Sequence, residues 1–93
     1  MRAHWNGTTI AESDATIIIE GNHYFPPDSV SWDLLQPTET HSTCPWKGLA
    51  SYWSVAVGAD GAKDAAWAYP APKDAAAEIA GYVAFWRGVV VEP

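Results

Sequence analysis

A single cysteine, Cys44, stands among the 93 residues, so no disulfide can close within the chain. That usage fits a reducing compartment. Long hydrophobic runs are missing too. The longest purely aliphatic stretches are Ile17–Ile19 and Val89–Val91, far short of the roughly 20 residues that span a bilayer. The opening Met1 to Gly7 lacks the apolar core of a signal peptide, and a cytoplasmic location without membrane association is expected. Bases are scarce: 5 Lys and Arg face 11 Asp and Glu, for a net charge of −6. Arg2, Lys47, Lys63, Lys73 and Arg87 form no run, whereas phosphate contacts need clustered cations, so nucleic acid is not an expected partner. No G-x-S-x-G, P-loop, G-x-G-x-x-G or H-E-x-x-H pattern occurs. Those absences weigh against the standard hydrolases, nucleotide-dependent enzymes and zincins.

What is present is a hydrophobic, strand-rich pattern. With 48% hydrophobic residues in one short chain, a single core and a single domain over residues 1–93 are expected, burying about 60–65% of the unfolded surface. Thr8–Glu12 and Ala15–Glu20 are short β-branched or apolar runs flanking Ser13-Asp14, with the spacing of a hairpin. Gly21-Asn22-His23 breaks the second run, and Asp28 or Ser29 caps a helical turn after Pro26-Pro27. The polar stretch Gln36–Thr43 reads as a surface loop.

Leu49 to Val57 carries no charge on either face, the signature of a central strand covered on both sides. Ala59-Asp60-Gly61 supplies a turn into a further alternating segment through Tyr69. Ala75 to Ala80, between Asp74 and Gly81, predicts the one helix, with a small-residue stripe against the sheet. Tyr82–Trp86 and Val89–Val91 read as a last hairpin. The expected architecture is mainly β: a small sandwich or open barrel of about six or seven strands with one short covering helix.

Thr43-Cys44-Pro45-Trp46-Lys47-Gly48 is the densest segment. Pro45 fixes a tight turn, Gly48 admits a positive φ, and Lys47 is a placed cation at the tip. Two readings compete: an anchor for a carboxylate or phosphate, or a solvated turn lysine. Cys44 is either a small buried hydrophobe or a thiolate activated by Lys47. His41 and Cys44, spaced H-x-x-C, find no second pair of ligands, and no metal is expected. Glu20, His23, His41 and Asp28 are the acid–base candidates, Glu20 foremost because it ends an apolar strand. Six Trp, four Tyr and two Phe are more rings than one core consumes. Tyr52 and Trp53 point to opposite faces, as do Phe85 and Trp86, so some rings line a pocket or a subunit interface.

The order Glu20, Tyr24-Phe25-Pro26, Cys44-Pro45-Trp46-Lys47-Gly48, Ala50-Ser51-Tyr52-Trp53, Ala66-Trp67-Ala68-Tyr69-Pro70 and Gly81-Tyr82-Val83-Ala84-Phe85 resembles the domain-of-unknown-function family four-two-seven, found in bacteria and fungi. The resemblance runs from about Trp5 to Val91. It implies a small, single-domain, mainly β fold without an established reaction. The family's nucleotidyltransferase-like label has no counterpart in these residues, which hold neither a Gly-Ser motif with paired carboxylates nor a phosphate loop. The positions matching the family blocks, Glu20, Tyr24, Cys44, Lys47, Tyr52, Trp67 and Tyr69, are the expected pocket residues, with Trp46 and Trp86 of little consequence for the chemistry.

Three functions follow as expectations. The first is binding of a small anionic metabolite in an aromatic-lined pocket, with Lys47 as anchor and Tyr24, Cys44, Tyr52, Trp67 and Tyr69 around it. The second is a small enzyme on the same site, with Glu20 or His23 in acid–base roles and Lys47 as electrostatic stabiliser. The third is a homodimeric interaction module built on surplus rings. None implies a cofactor.

Overall fold

In the computed structural model, which describes residues 1–93, Tyr24 and Phe25 follow one another in the chain and are buried in two different hydrophobic clusters. The sheet topology explains this. Nine strands form three antiparallel sheets: β1 (Arg2–Trp5), β2 (Thr8–Glu12), β3 (Ile17–Ile19), β4 (Asn22–Tyr24), β5 (Leu35–Cys44), β6 (Gly48–Val57), β7 (Asp60–Ala68), β8 (Val83–Phe85) and β9 (Val90–Glu92). The central sheet has the order β5-β6-β7-β8; β2-β1-β9 makes a second sheet and the β3-β4 hairpin a third. No sheet closes into a barrel. The chain after β4 continues onto the free edge of the central sheet, where Phe25 and Val83 exchange both backbone hydrogen bonds at 2.7 and 2.9 Å.

Because side chains alternate along a strand, the central sheet sorts its apolar residues into two cores. Val55, Ala66, Ala68, Val83 and Phe85 face the β2-β1-β9 sheet, meeting Ala3, Ile10 and Ala11 around Phe25. Phe25 and Phe85 meet edge to face at 5.6 Å. Such a contact adds about 0.5–1.5 kcal/mol to the burial of the rings. Ala50, Ala84 and Tyr69 face the other way, where Tyr24, Ala76 and Ile79 cover them. The uncharged segment Leu49 to Val57 is therefore an internal strand whose two faces serve different cores.

Several local expectations are corrected. Gln36–Thr43 is not a loop but most of β5, an edge strand whose residues are largely exposed. It is polar because only one edge is paired and its faces are wet, and Pro37 and a register shift before His41 blunt the edge. Thr8–Glu12 does not pair with the next run. β2 pairs with β1 instead, and Ile17–Ile19 pairs with Asn22–Tyr24. Glu20 (φ 54°) and Gly21 (φ 81°) make that turn, with the double left-handed geometry that matches strand twist. The final hairpin is absent, since β8 joins the central sheet and β9 joins β1. The single helix is replaced by six residues of 3₁₀ turn, Asp74–Ile79, kinked at Ala76 (φ −121°, ψ 21°). Its end is tied to the sheet by a bridge between Ala80 and Tyr69, which leaves too few residues for an α-helix to nucleate.

Candidate functional site

The hairpin turn between β5 and β6 is Cys44-Pro45-Trp46-Lys47, closed by the pairing of Cys44 with Gly48. Gly48 adopts φ +109°, and a Cβ there would come within 3.4 Å of the Lys73 backbone nitrogen. That nitrogen donates to the Lys47 carbonyl at 3.0 Å. Clamped this way, the turn directs Lys47 inward, and only 5% of the residue is exposed. It is not a solvated turn lysine.

The ammonium lies 5.1 Å from the Trp46 ring centroid and 5.5 Å from that of Tyr69. It donates a hydrogen bond to the carboxylate of Glu20, which reaches it from the β3-β4 turn. Burial disfavours the charged ammonium, yet the Glu20 hydrogen bond and the phenol oxygens of Tyr24 and Tyr69 carry its pKa above the ordinary lysine value. Burial likewise pushes up the phenols of Tyr24 and Tyr69. Cys44 goes the other way. Burial opposes its thiolate, but the backbone N–H groups of Lys47 and Trp46, with the nearby ammonium, hold the thiol below its ordinary range.

Beside Lys47 the sheet surface sinks into a depression of about 160 Å³, walled by Tyr24, Tyr52, Trp67, Tyr69 and Trp86, with Asn22 at the lip. Strand register makes the hollow. Tyr52 stands directly across from Trp67, and Trp67 directly across from Ala84, so two large rings stand side by side on neighbouring strands and the buried Ala84 follows them. Trp86, two residues beyond Ala84, closes the far side. The rings brace one another: Tyr24 and Trp67 at 6.1 Å and 88°, Trp67 and Trp86 at 5.4 Å and 66°. The Trp67 indole N–H donates to the Tyr24 hydroxyl at 3.2 Å, and the Trp86 indole N–H to the Asp64 carbonyl at 2.6 Å. Tyr52 shares a 2.8 Å hydrogen bond with the Ser42 hydroxyl.

The structure thus brings Tyr24, Lys47, Tyr52, Trp67 and Tyr69 around one hollow. Cys44 packs against the same cluster without lining the hollow, and Glu20 reaches it through Lys47. His23 is not part of this group, since its Nδ1 is held by the Thr16 hydroxyl at 2.9 Å. His41 binds the Ala50 carbonyl at 3.2 Å. No three His, Cys, Asp or Glu side chains converge to hold a metal ion. Sequence reasoning missed Asn22 and set aside Trp86. Asn22 shares the parity of Tyr24 on its own segment, and Trp86 that of Ala84, which packs in the same cluster as Tyr24 and Tyr69; that parity was the available signal.

No helix is long and apolar enough to cross a membrane. No curated protein matches the chain. Residues 1–92, however, match the family model described as a domain of unknown function (DUF427), labelled NTP_transf_9, and the chain belongs to that family.

Proposed function

We propose that the domain binds a ligand the size of one six-membered ring bearing an anionic group, stacked among the rings and read by Lys47. The observation that supports this reading is a buried ammonium on the wall of an aromatic hollow. A buried lysine is costly to desolvate, so its position beside an open, aromatic-walled concavity favours a role in recognition. Size follows from volume, for an apolar cavity of about 150 Å³ takes up benzene. The hollow here, about 160 Å³ and open to solvent, is of the same size. Aromatic walls supply affinity by burial, and the single cation supplies orientation. The −6 net charge of the whole chain disfavours anions at long range, so selection rests on short-range contact.

Isothermal titration with single-ring carboxylates, headed by benzoate, tests the reading. Saturable binding of benzoate, lost in Lys47→Met and in Trp67→Ala, is the expected result. Equal binding of benzoate and uncharged benzamide would remove the role given to Lys47. Absence of binding across the series would remove the reading.

A further inference from the structure

Glu20 occupies a position that its own turn chemistry does not favour. It holds φ 54°, the left-handed region that Asn, Asp and Gly adopt far more readily than a glutamate. The two-residue hairpin turn requires that backbone geometry of whatever residue stands there, so the choice of a glutamate over Asn or Gly calls for a reason in its side chain. The carboxylate it carries there is the partner of Lys47, which lies 27 residues away in sequence. The two ends of this pair are unlike. The lysine side chain is 7% exposed and rigidly placed, while the glutamate side chain is 57% exposed.

We infer that Glu20 is an internal stand-in for the ligand's anionic group: it occupies the anion subsite of Lys47 in the free protein and swings out to solvent when a ligand carboxylate enters. The inference rests on the ligand-binding reading above and adds a specificity determinant to it. Lys47 carries one positive charge, and a second carboxylate admitted beside Glu20 would place two like charges side by side on it. Exchange avoids that, because Glu20 is on an exposed turn and regains its hydration when released. A ligand lacking aromatic surface cannot outcompete a tethered carboxylate; a ring-bearing one can, since the walls add contacts that Glu20 does not make. Glu20 therefore sets a threshold that rejects small anions such as acetate or phosphate.

The threshold has a measurable size. If the pair is open about one-tenth of the time, the apparent affinity of an anion is about tenfold weaker than that of the open site. The test is benzoate titration of the wild-type protein, Glu20→Gln, Glu20→Asn and Lys47→Met, with acetate and benzamide in parallel. Glu20→Asn suits the left-handed turn, so it frees Lys47 while keeping the hairpin folded. The indole N–H resonances of Trp67 and Trp86 locate the binding. Both Glu20 variants are expected to bind benzoate about tenfold more tightly, to gain measurable acetate binding, and to leave benzamide unchanged. Benzoate binding that is lost in Lys47→Met but unchanged or weaker in both Glu20 variants overturns the stand-in role while the ligand-binding reading survives. No benzoate binding in any of the four proteins overturns the reading itself.

Discussion

The carbonyl oxygen of Asp64 accepts the indole N–H of Trp86 at 2.6 Å, and Asp64 presents it from a left-handed conformation, φ 54°. This links a bulge in β7, where the register with β6 shifts between Trp53 and Val55, to the far wall of the aromatic hollow. The same residue's carboxylate accepts hydrogen bonds from the hydroxyls of Thr38 and Thr40, each at 2.7 Å. Asp64 is 6% exposed. One irregular residue thus ties the edge strand β5 and the ring of Trp86 to the middle of the sheet.

Asp64→Asn separates these two duties. The threonine hydroxyls hold the Asp64 carboxyl below its ordinary range, with Lys63 and Arg87 assisting against burial. A pKa lowered on folding contributes stability in full above the unfolded value, about pH 4, and loses it as pH falls through the folded value. The Asn variant is expected to melt lower than wild type at pH 7, with the gap closing toward pH 3. Since Asn tolerates the left-handed backbone, the Trp86 indole resonance stays in place. Asp64→Ala shifts it. A gap that widened at low pH would contradict the assignment.

Alkaline lability has its own source. The phenols of Tyr24 and Tyr69 and the ammonium of Lys47 all have pKa values raised on folding. Each holds its proton more tightly in the native state, so each contribution is complete below the unfolded value and is lost as pH climbs through the folded one. Thermal midpoints should therefore drop above about pH 10. In the double variant Tyr24→Phe/Tyr69→Phe the drop should be shallower. An equally steep loss in that variant would assign it elsewhere.

Cys44 offers a chemical probe of the Lys47 turn. The backbone N–H groups of Lys47 and Trp46 and the nearby ammonium hold its thiol below the ordinary range, so its alkylation by iodoacetamide should show a midpoint below that of a free cysteine. Lys47→Met should raise that midpoint by removing the charge while leaving the amides. A wild-type midpoint at or above that of a free cysteine would show that burial wins.

The paired residues Tyr24 and Phe25 report on the two cores separately. Phe25→Ala leaves a cavity at a position with 0% exposure and should cost about 3–5 kcal/mol in urea unfolding. Tyr24→Phe keeps the ring and deletes only the acceptor of the Trp67 indole, at about 1 kcal/mol. Equal losses would contradict the roles given to the buried Phe25 ring and to the Tyr24 hydroxyl.

Much of this was readable from residue order. The alternation of Leu49 to Val57, uncharged on both faces, marked an internal strand. The excess of rings over the needs of one core marked a second apolar surface, and the turn Pro45 to Gly48 marked Lys47 as a placed residue. Partner choice was not readable. Thr8–Glu12 has equally good local matches on either side, and Gln36–Thr43 looks like a loop because edge strands share the polarity of loops. The place of Trp86 in the wall depends on the bulge at Asp64 and on the bond that aims the indole, which lie 22 residues upstream.

Composition and periodicity were enough to establish a mainly β domain, rich in rings and acidic, because period-two alternation and turn residues are local properties of the chain. Which strands neighbour one another, and hence that Lys47 meets Glu20 beneath a wall of Tyr24, Tyr52, Trp67, Tyr69 and Trp86, came from folding alone. Strand pairing is a contest among long-range contacts with nearly equal local preferences, and the two cores settle it by burying the rings that fit.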